Sequence, residues 1–326
     1  MLKKQKGFTL IEIFVALAIG LVLIGGVLSV FVGMKTTTQE TSSIGELQEN
    51  GRFAVSLLTG DLLRQNLWGD LSSNLTSQLL ITPAPLPNTL TNDCIGGGIN
   101  NGSFPQPGIG NFRTIWAQTV NNQSVLSGCI DDAAIGSDVI QIKRVVANPV
   151  TPADIQANRY YINSGFENAA IFAGDEAIPA VNQSRVWEYQ HHVYYIREDQ
   201  VGNEVVPVLM QGRLQNGGDA ISFNMLVEGI ERIHYMFGVD TSGDGVINAY
   251  IAASNMLENY WDNVNNTKIL GVKLYVLVRS IRPDRNYEND NVYQMGNVSF
   301  DAEGDNFRRI LYSTTVSMPN ATIRTF

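Results

Sequence analysis

Between Phe8 and Val32 the chain runs for about 25 residues with one charged side chain, Glu12. As a helix rising 1.5 Å per residue this run spans roughly 37 Å, against a hydrocarbon core of about 30 Å. It is long enough to cross a bilayer. It is too long for a cleaved secretory signal, whose apolar stretch takes about 7 to 15 residues before a small-residue site. Its end, "VLSVFVG", carries no such site. Lys3, Lys4 and Lys6 precede the run and only Lys35 follows closely. The distribution of lysines therefore predicts a cytoplasmic N-terminus and an extracytoplasmic body after Val32.

That body is acidic. The chain of 326 residues has a formal charge of -9, and three of its 22 basic residues lie before Phe8, leaving 19 against 31 acidic ones. Nucleic acid is not expected as a partner, since a phosphate backbone calls for clustered Lys and Arg. With 44% hydrophobic residues the chain has material for a core. Cys94 and Cys129 are its two cysteines. In an exported chain a single disulfide is the default reading.

After Val32 the sequence turns polar ("GMKTTTQETSS") without a proline, and apolar positions return at Ile44, Leu47, Gly51, Ala54 or Val55, Leu58 and Leu62. Steps of three and four make one stripe of an amphipathic helix. The spacing predicts a continuous helix over 8–67, its first part, 8–32, in lipid and its second one-sided, about 85 to 90 Å in all. From 68 to 137 the chain is rich in Asn, Gly, Pro, Ser and Thr, as in "TPAPLPN" and "CIGGGINNGSFPQPGIGN". This reads as a loop-rich segment stapled by Cys94 and Cys129. Over 138–326 the pattern is that of strands: "DVIQIKRVV", "RVWEYQHHVYYIRED", "EVVPVLMQG", "GIERIHYMFGVD", "KILGVKLYVLVRSIR" and "FRRILYSTTVSM". In the fifth, Val272, Leu274, Val276 and Val278 share one face and Lys273, Tyr275 and Arg279 the other, the sign of a sheet with one covered side. The expected cover is the amphipathic half of the helix, and the expected class is α+β, a long N-terminal helix packed on an antiparallel sheet with a loop-rich insertion. No internal repeat suggests a solenoid.

Catalysis finds little support. His191 and His192 are adjacent on a strand and so point to opposite faces, and His234 stands alone. No H-E-x-x-H, C-x-x-C or G-x-S-x-G occurs, and no glycine-rich loop is followed by Lys-Ser/Thr. The chain is not expected to be an enzyme. In "GVDTSGDGVINAY", Asp240, Ser242 and Asp244 have the 1-3-5 oxygen spacing of a calcium loop, Gly245 takes the turn position and Val246 offers a carbonyl. Ile251 stands where such a loop has a bidentate Glu. Two readings stand side by side, a polar hairpin turn and a calcium-stabilised turn; no other cofactor is implied. Trp187, Tyr189, Tyr194 and Tyr195 form an aromatic group that reads either as core or as the ligand-binding face of an anchored protein. Glu12 is the costliest residue: an acid in the bilayer costs about 2.5 to 3.5 kcal/mol on insertion scales, so it snorkels to the interface or serves a partner.

"KGFTLIE" resembles the type IV prepilin cleavage motif. The resemblance implies cutting after Gly7 on the cytoplasmic face by prepilin peptidase, a leader of residues 1–7, N-methylation of the new N-terminal Phe8, and later extraction of the helix from the membrane into a filament. It also implies subunit registry through Glu12, paired with the Phe8 amine of its own chain or of a neighbour. "GELQENGRFAVSLLTGDLLRQNLWGD", "GVDTSGDGVINAY", "VKLYVLVRS" and "YSTTVSMPN" resemble the PilW family of minor pilins. J-type minor pseudopilins of type II secretion share the helix block and are the rival. This chain lacks the helix-breaking proline of many pilins, having only Gly20, Gly25 and Gly26, and carries Met318-Pro319-Asn320 where an Arg before the Asn is common. The resemblance implies a pilin-like fold and a minor pilin that primes pilus assembly in a tip complex. Its implied partners are other minor pilins, the major pilin, the inner-membrane assembly platform and a tip adhesin. The body would sit in the periplasm and then on the extracellular pilus, serving motility, adhesion or uptake.

Overall fold

The computed structural model describes residues 7–76, 79–80, 90, 93–106, 111–202 and 204–322. Lys3, Lys4 and Lys6 of the expected leader, and the "TPAPLPN" stretch, lie outside the described residues. The chain divides into two compact units, Met1–Glu46 and Leu47–Phe326.

One helix, α1 (Leu10–Arg64), contributes to both units. In the first unit every large apolar side chain from Leu10 to Met34 is exposed, the composition of a helix made for lipid or for other helices. Its polar continuation stays helical although rich in β-branched threonine. Thr37, Thr38 and Thr41 turn their hydroxyls back onto the carbonyls of Gly33, Met34 and Thr37, which satisfies them within the helix.

In the second unit the expected stripe is present: Leu47, Gly51, Ala54, Leu58 and Leu62 are all buried. Ile44, the first expected position, is exposed. The helix stops at Arg64 rather than at 67, because Asn66 takes a left-handed conformation with φ 60°. The last carbonyls are capped from the far end of the chain. Asn320 Nδ2 donates to Gln65 O at 3.0 Å and Leu63 O at 3.4 Å, and Asn66 Nδ2 donates back to Asn320 O at 3.2 Å. Asn320 thus has a capping role that needs no arginine before it.

The strands are β1 (Ile115–Thr119), β2 (Asp138–Val150), β3 (Tyr160–Ser164), β4 (Ala169–Ala173), β5 (Arg185–Val201), β6 (Glu204–Leu214), β7 (Ile221–Glu228), β8 (Ile230–Asp240), β9 (Ala249–Ala252), β10 (Lys268–Arg279), β11 (Val292–Met295), β12 (Val298–Asp301) and β13 (Arg309–Ser317). All six expected strands are among them. Among the described residues a seven-stranded antiparallel sheet runs β1-β2-β5-β3-β4, with β6 on the second half of β5 and β7 beyond it. A four-stranded sheet has the order β13-β10-β8-β9, and β11 and β12 form a hairpin. Among the described residues of 68–137 the structure has one short strand, β1: Ile115 and Trp116 are buried, and its five residues pair with β2 from Thr119↔Asp138 through Ile115↔Ile142. Val272, Leu274, Val276 and Val278 are fully buried, as their alternation predicts.

Register assigns the two faces of the large sheet. Ile142 pairs with His192 and Ile140 with Tyr194, one face; Lys143 pairs with His191 and Gln141 with Val193, the other. The C-terminal part of α1 covers the first face. The second lies under the Cys94–Phe104 loop, held by the Cys94–Cys129 disulfide with Cα atoms 5.2 Å apart.

α1 approaches β13 at Gly51, where a Cβ would lie 2.2 Å from the Tyr312 ring. Gly51→Val should therefore lower the thermal midpoint of the body by an amount worth about 1 to 3 kcal/mol, as overpacking does. Adding Tyr312→Ala in the same chain should recover part of the loss; if the double variant is no better than the single one, the close approach is not the cause.

Candidate functional site

The N-terminal motif sits at the start of α1. Phe8 is 84% exposed, and Gly7 has open space around it. The Thr9 backbone N–H and hydroxyl each donate to Glu12 Oε2 at 2.8 Å, and the Glu12 N–H donates to Thr9 Oγ1 at 3.4 Å. Thr9 and Glu12 are three residues apart, so they close a reciprocal capping box on the free N–H groups of the first turn. Glu12, expected as a lone acid, already has a partner in its own chain.

In the second unit the stripe of α1 carries a second acid. Asp61 lies at helical spacing from Leu58 and Gln65 and is 4% exposed. Arg144 Nε donates to its Oδ1 at 3.1 Å, with Nη2 on the same oxygen. Oδ2 accepts from His192 Nδ1 at 2.5 Å and from the Tyr194 hydroxyl at 2.6 Å, and Gln211 Nε2 donates to that hydroxyl at 2.7 Å. Burial would raise the Asp61 carboxyl, but the hydrogen bond from His192, the charge of Arg144 and the Tyr194 hydroxyl hold it well below the carboxylate range. Burial pushes His192 down, against the pull of Asp61, so the neutral imidazole donates to the ionised acid. This arrangement holds the helix on the sheet in one register, since a one-residue slip would strand three buried polar groups. Sequence reading missed it. The one signal available was an acid on the apolar stripe.

The histidines do not gather. His191 is buried on the opposite face from His192, with Nδ1 2.8 Å from Ser103 Oγ. His234 donates from Nδ1 to Asp138 Oδ2 at 2.9 Å and from Nε2 to Asn297 Oδ1 at 2.9 Å. Burial would lower His234, but Asp138 raises it. Among the described residues no three His, Cys, Asp or Glu side chains come together as a metal site.

The turn between β8 and β9 closes on Asp240. Its Oδ1 accepts from the Ser242 N–H at 2.9 Å and the Gly243 N–H at 2.7 Å, and its Oδ2 from the Gly245 N–H at 2.8 Å. Ser242 Oγ donates to Asp240 at 3.1 Å. Asp244 Oδ1 accepts from the Val246 N–H at 2.9 Å, and Asp244 and Val246 are exposed. Gly243 and Gly245 take positive φ, as a turn of this kind asks.

The aromatic group belongs to the core, which corrects the ligand-binding reading. Trp187, Tyr189, Tyr194 and Tyr195 are all buried. Tyr189 stacks on Trp68 with ring centroids 5.8 Å apart, and Tyr195 meets Phe223 edge-on at 5.7 Å. Both faces of β5 are covered over this stretch.

Two family models match the chain. The prokaryotic N-terminal methylation motif covers residues 2–28, and the type IV pilus-assembly protein W family, PilW, covers residues 193–320. These two matches support a PilW-type minor pilin. No curated protein and no solved structure matches it. Both matched families are structural components of the pilus, and the motif together with the apolar part of α1 indicates anchoring in the inner membrane. The PilW region begins in the middle of β5, at the residue after His192, and ends on Asn320, the residue that clasps the end of α1. Asp61 and Arg144 lie before it.

Replacing Asp61 by Asn should cost the body about 3 to 5 kcal/mol, because Arg144 is left buried without its charge partner. The pH dependence has a definite sign. As pH falls below 6.5 the unfolded chain takes up protons that buried His191 and His192 refuse, and below 3.8 it takes up one that Asp61 refuses, so stability falls toward acid in two stages. His234, raised by Asp138, works the other way: its contribution is present below 6.5 and lost as pH rises through its higher folded value. Thermal midpoints between pH 8 and 3 should show the two declines, and His192→Gln should flatten the first; an unchanged profile in that variant would count against a neutral His192.

Proposed function

We propose that the chain is cut after Gly7 by prepilin peptidase, methylated on Phe8, and assembled with other minor pilins into a tip complex that primes the type IV pilus. The observation that carries this reading is the membrane-length helix with wholly exposed apolar side chains and a single acid four residues beyond Phe8. The leader lysines orient the precursor, with the N-terminus cytoplasmic and the body in the periplasm, and are then discarded. Cleavage turns Phe8 into a cation beside the Thr9–Glu12 capping box. Glu12 then passes from Thr9 to an amine, its own or that of the next subunit, which gives registry in a low dielectric. The body faces the other minor pilins and a tip adhesin, the helix faces the major pilin and the assembly platform, and the chain acts without turnover.

The β8–β9 turn is read as closing on its own hydrogen bonds, with calcium as an addition through Asp244 and the Val246 carbonyl. A chelator should leave the thermal midpoint unchanged. A drop that Asp244→Ala abolishes would instead support the ion.

Gly7→Asp should leave an uncut, membrane-bound precursor on an immunoblot, and mature-size protein at ordinary levels would refute the cleavage reading. Glu12→Ala should still insert and be cut but give few pili by electron microscopy; normal piliation would refute the registry role.

A further inference from the structure

The face of the large sheet away from α1 holds an amine that the functions above do not use. Lys143 of β2 and Asn101 of the short turn Ile99–Asn101 are both 0% exposed. Lys143 Nζ lies 2.7 Å from Asn101 Oδ1, 3.0 Å from Asn101 O and 2.7 Å from Arg113 O. With a carbonyl bond of about 1.23 Å, Nζ stands at most about 3.9 Å from Asn101 Cγ, close to the separation of about 3 to 3.5 Å at which oriented groups react. The carboxamide is fixed from its other side: Nδ2 donates to Gly96 O and to Gln141 Oε1, both at 2.5 Å. Both partners are therefore held in place, and water is excluded around them.

We propose that Lys143 and Asn101 are a self-modification site, joined by an intramolecular side-chain amide. Nζ attacks Asn101 Cγ and forms the new C–N bond; the Cγ–Nδ2 bond breaks, and Nδ2 leaves as ammonia with the proton that Nζ gives up. No oxidant, reductant or second substrate enters. The attack needs the neutral amine. Burial brings Lys143 down to about 7, so a free lone pair is within reach at ordinary pH. The Phe112 ring, 5.1 Å from Nζ, and the buried His191 add to the water-poor surroundings. The link would tie the Cys94–Phe104 loop to β2 a second time, beside the disulfide. It stands independently of the pilus reading.

The full chain, purified from membranes in detergent and digested with trypsin after denaturation and reduction, decides the matter by mass spectrometry. The expected result is no cleavage after Lys143, and the peptide carrying Asn101 found joined to the peptide carrying Lys143, lighter than their sum by one ammonia. Lys143→Arg and Asn101→Ala should each abolish the joined peptide. The unmutated protein alone settles the outcome if either variant fails to fold. Separate peptides, one ending at Lys143 and the other with its Asn101 intact, would overturn the proposal.

Discussion

Asp61 is a charge taken out of water on the underside of a helix, and such a charge is tolerable only when everything around it answers. Four donors from two strands do so: two from Arg144 and one each from His192 and Tyr194. Loss of any one exposes the desolvation cost of the rest. The same apolar stripe could slide by a turn of helix at modest cost if it were leucine throughout. The buried acid removes that freedom, and with it fixes where Gly51 meets Tyr312 and where the end of α1 meets Asn320.

Much of this was legible in the residues, and what was not has physical reasons. β10 declared itself because one of its faces is covered and the other is wetter, which writes a two-residue period into "GVKLYVLVR". β3 and β4 were silent because "YYINS" and "AAIFA" are buried on both faces and carry no alternation. β9, β11 and β12 have four residues each, too few to show a period. Gln141 and Lys143 show the opposite case. They are polar residues alternating along β2, and a loop with no periodicity of its own covers them. A loop writes nothing into the sequence of the strand beneath it except the polar partners that satisfy its backbone. Of the candidate site, Gly7, Phe8 and Glu12 stood out by their type and order, whereas the capping of Glu12 by Thr9 needed the helix start to be placed.

A single helix meets two solvents. Up to Met34 its side chains are exposed without distinction of face, as suits surroundings that are apolar on every side. From Leu47 one face is core and the rest is polar, as suits a protein surface in water. The three threonine back-bonds lie between these regimes and satisfy the hydroxyls of a polar, β-branched stretch within the helix.

The clasp between Asn320 and the end of α1 also sets an order of events in time. The helix leaves the ribosome well before the residue that caps its carbonyls, since Asn320 follows Gln65 by 255 positions. Until then, Leu63 and Gln65 present open acceptors, and the covering face of α1 waits for strands that are still being made. Contacts between parts so distant in sequence make folding slow and leave apolar surface uncovered meanwhile.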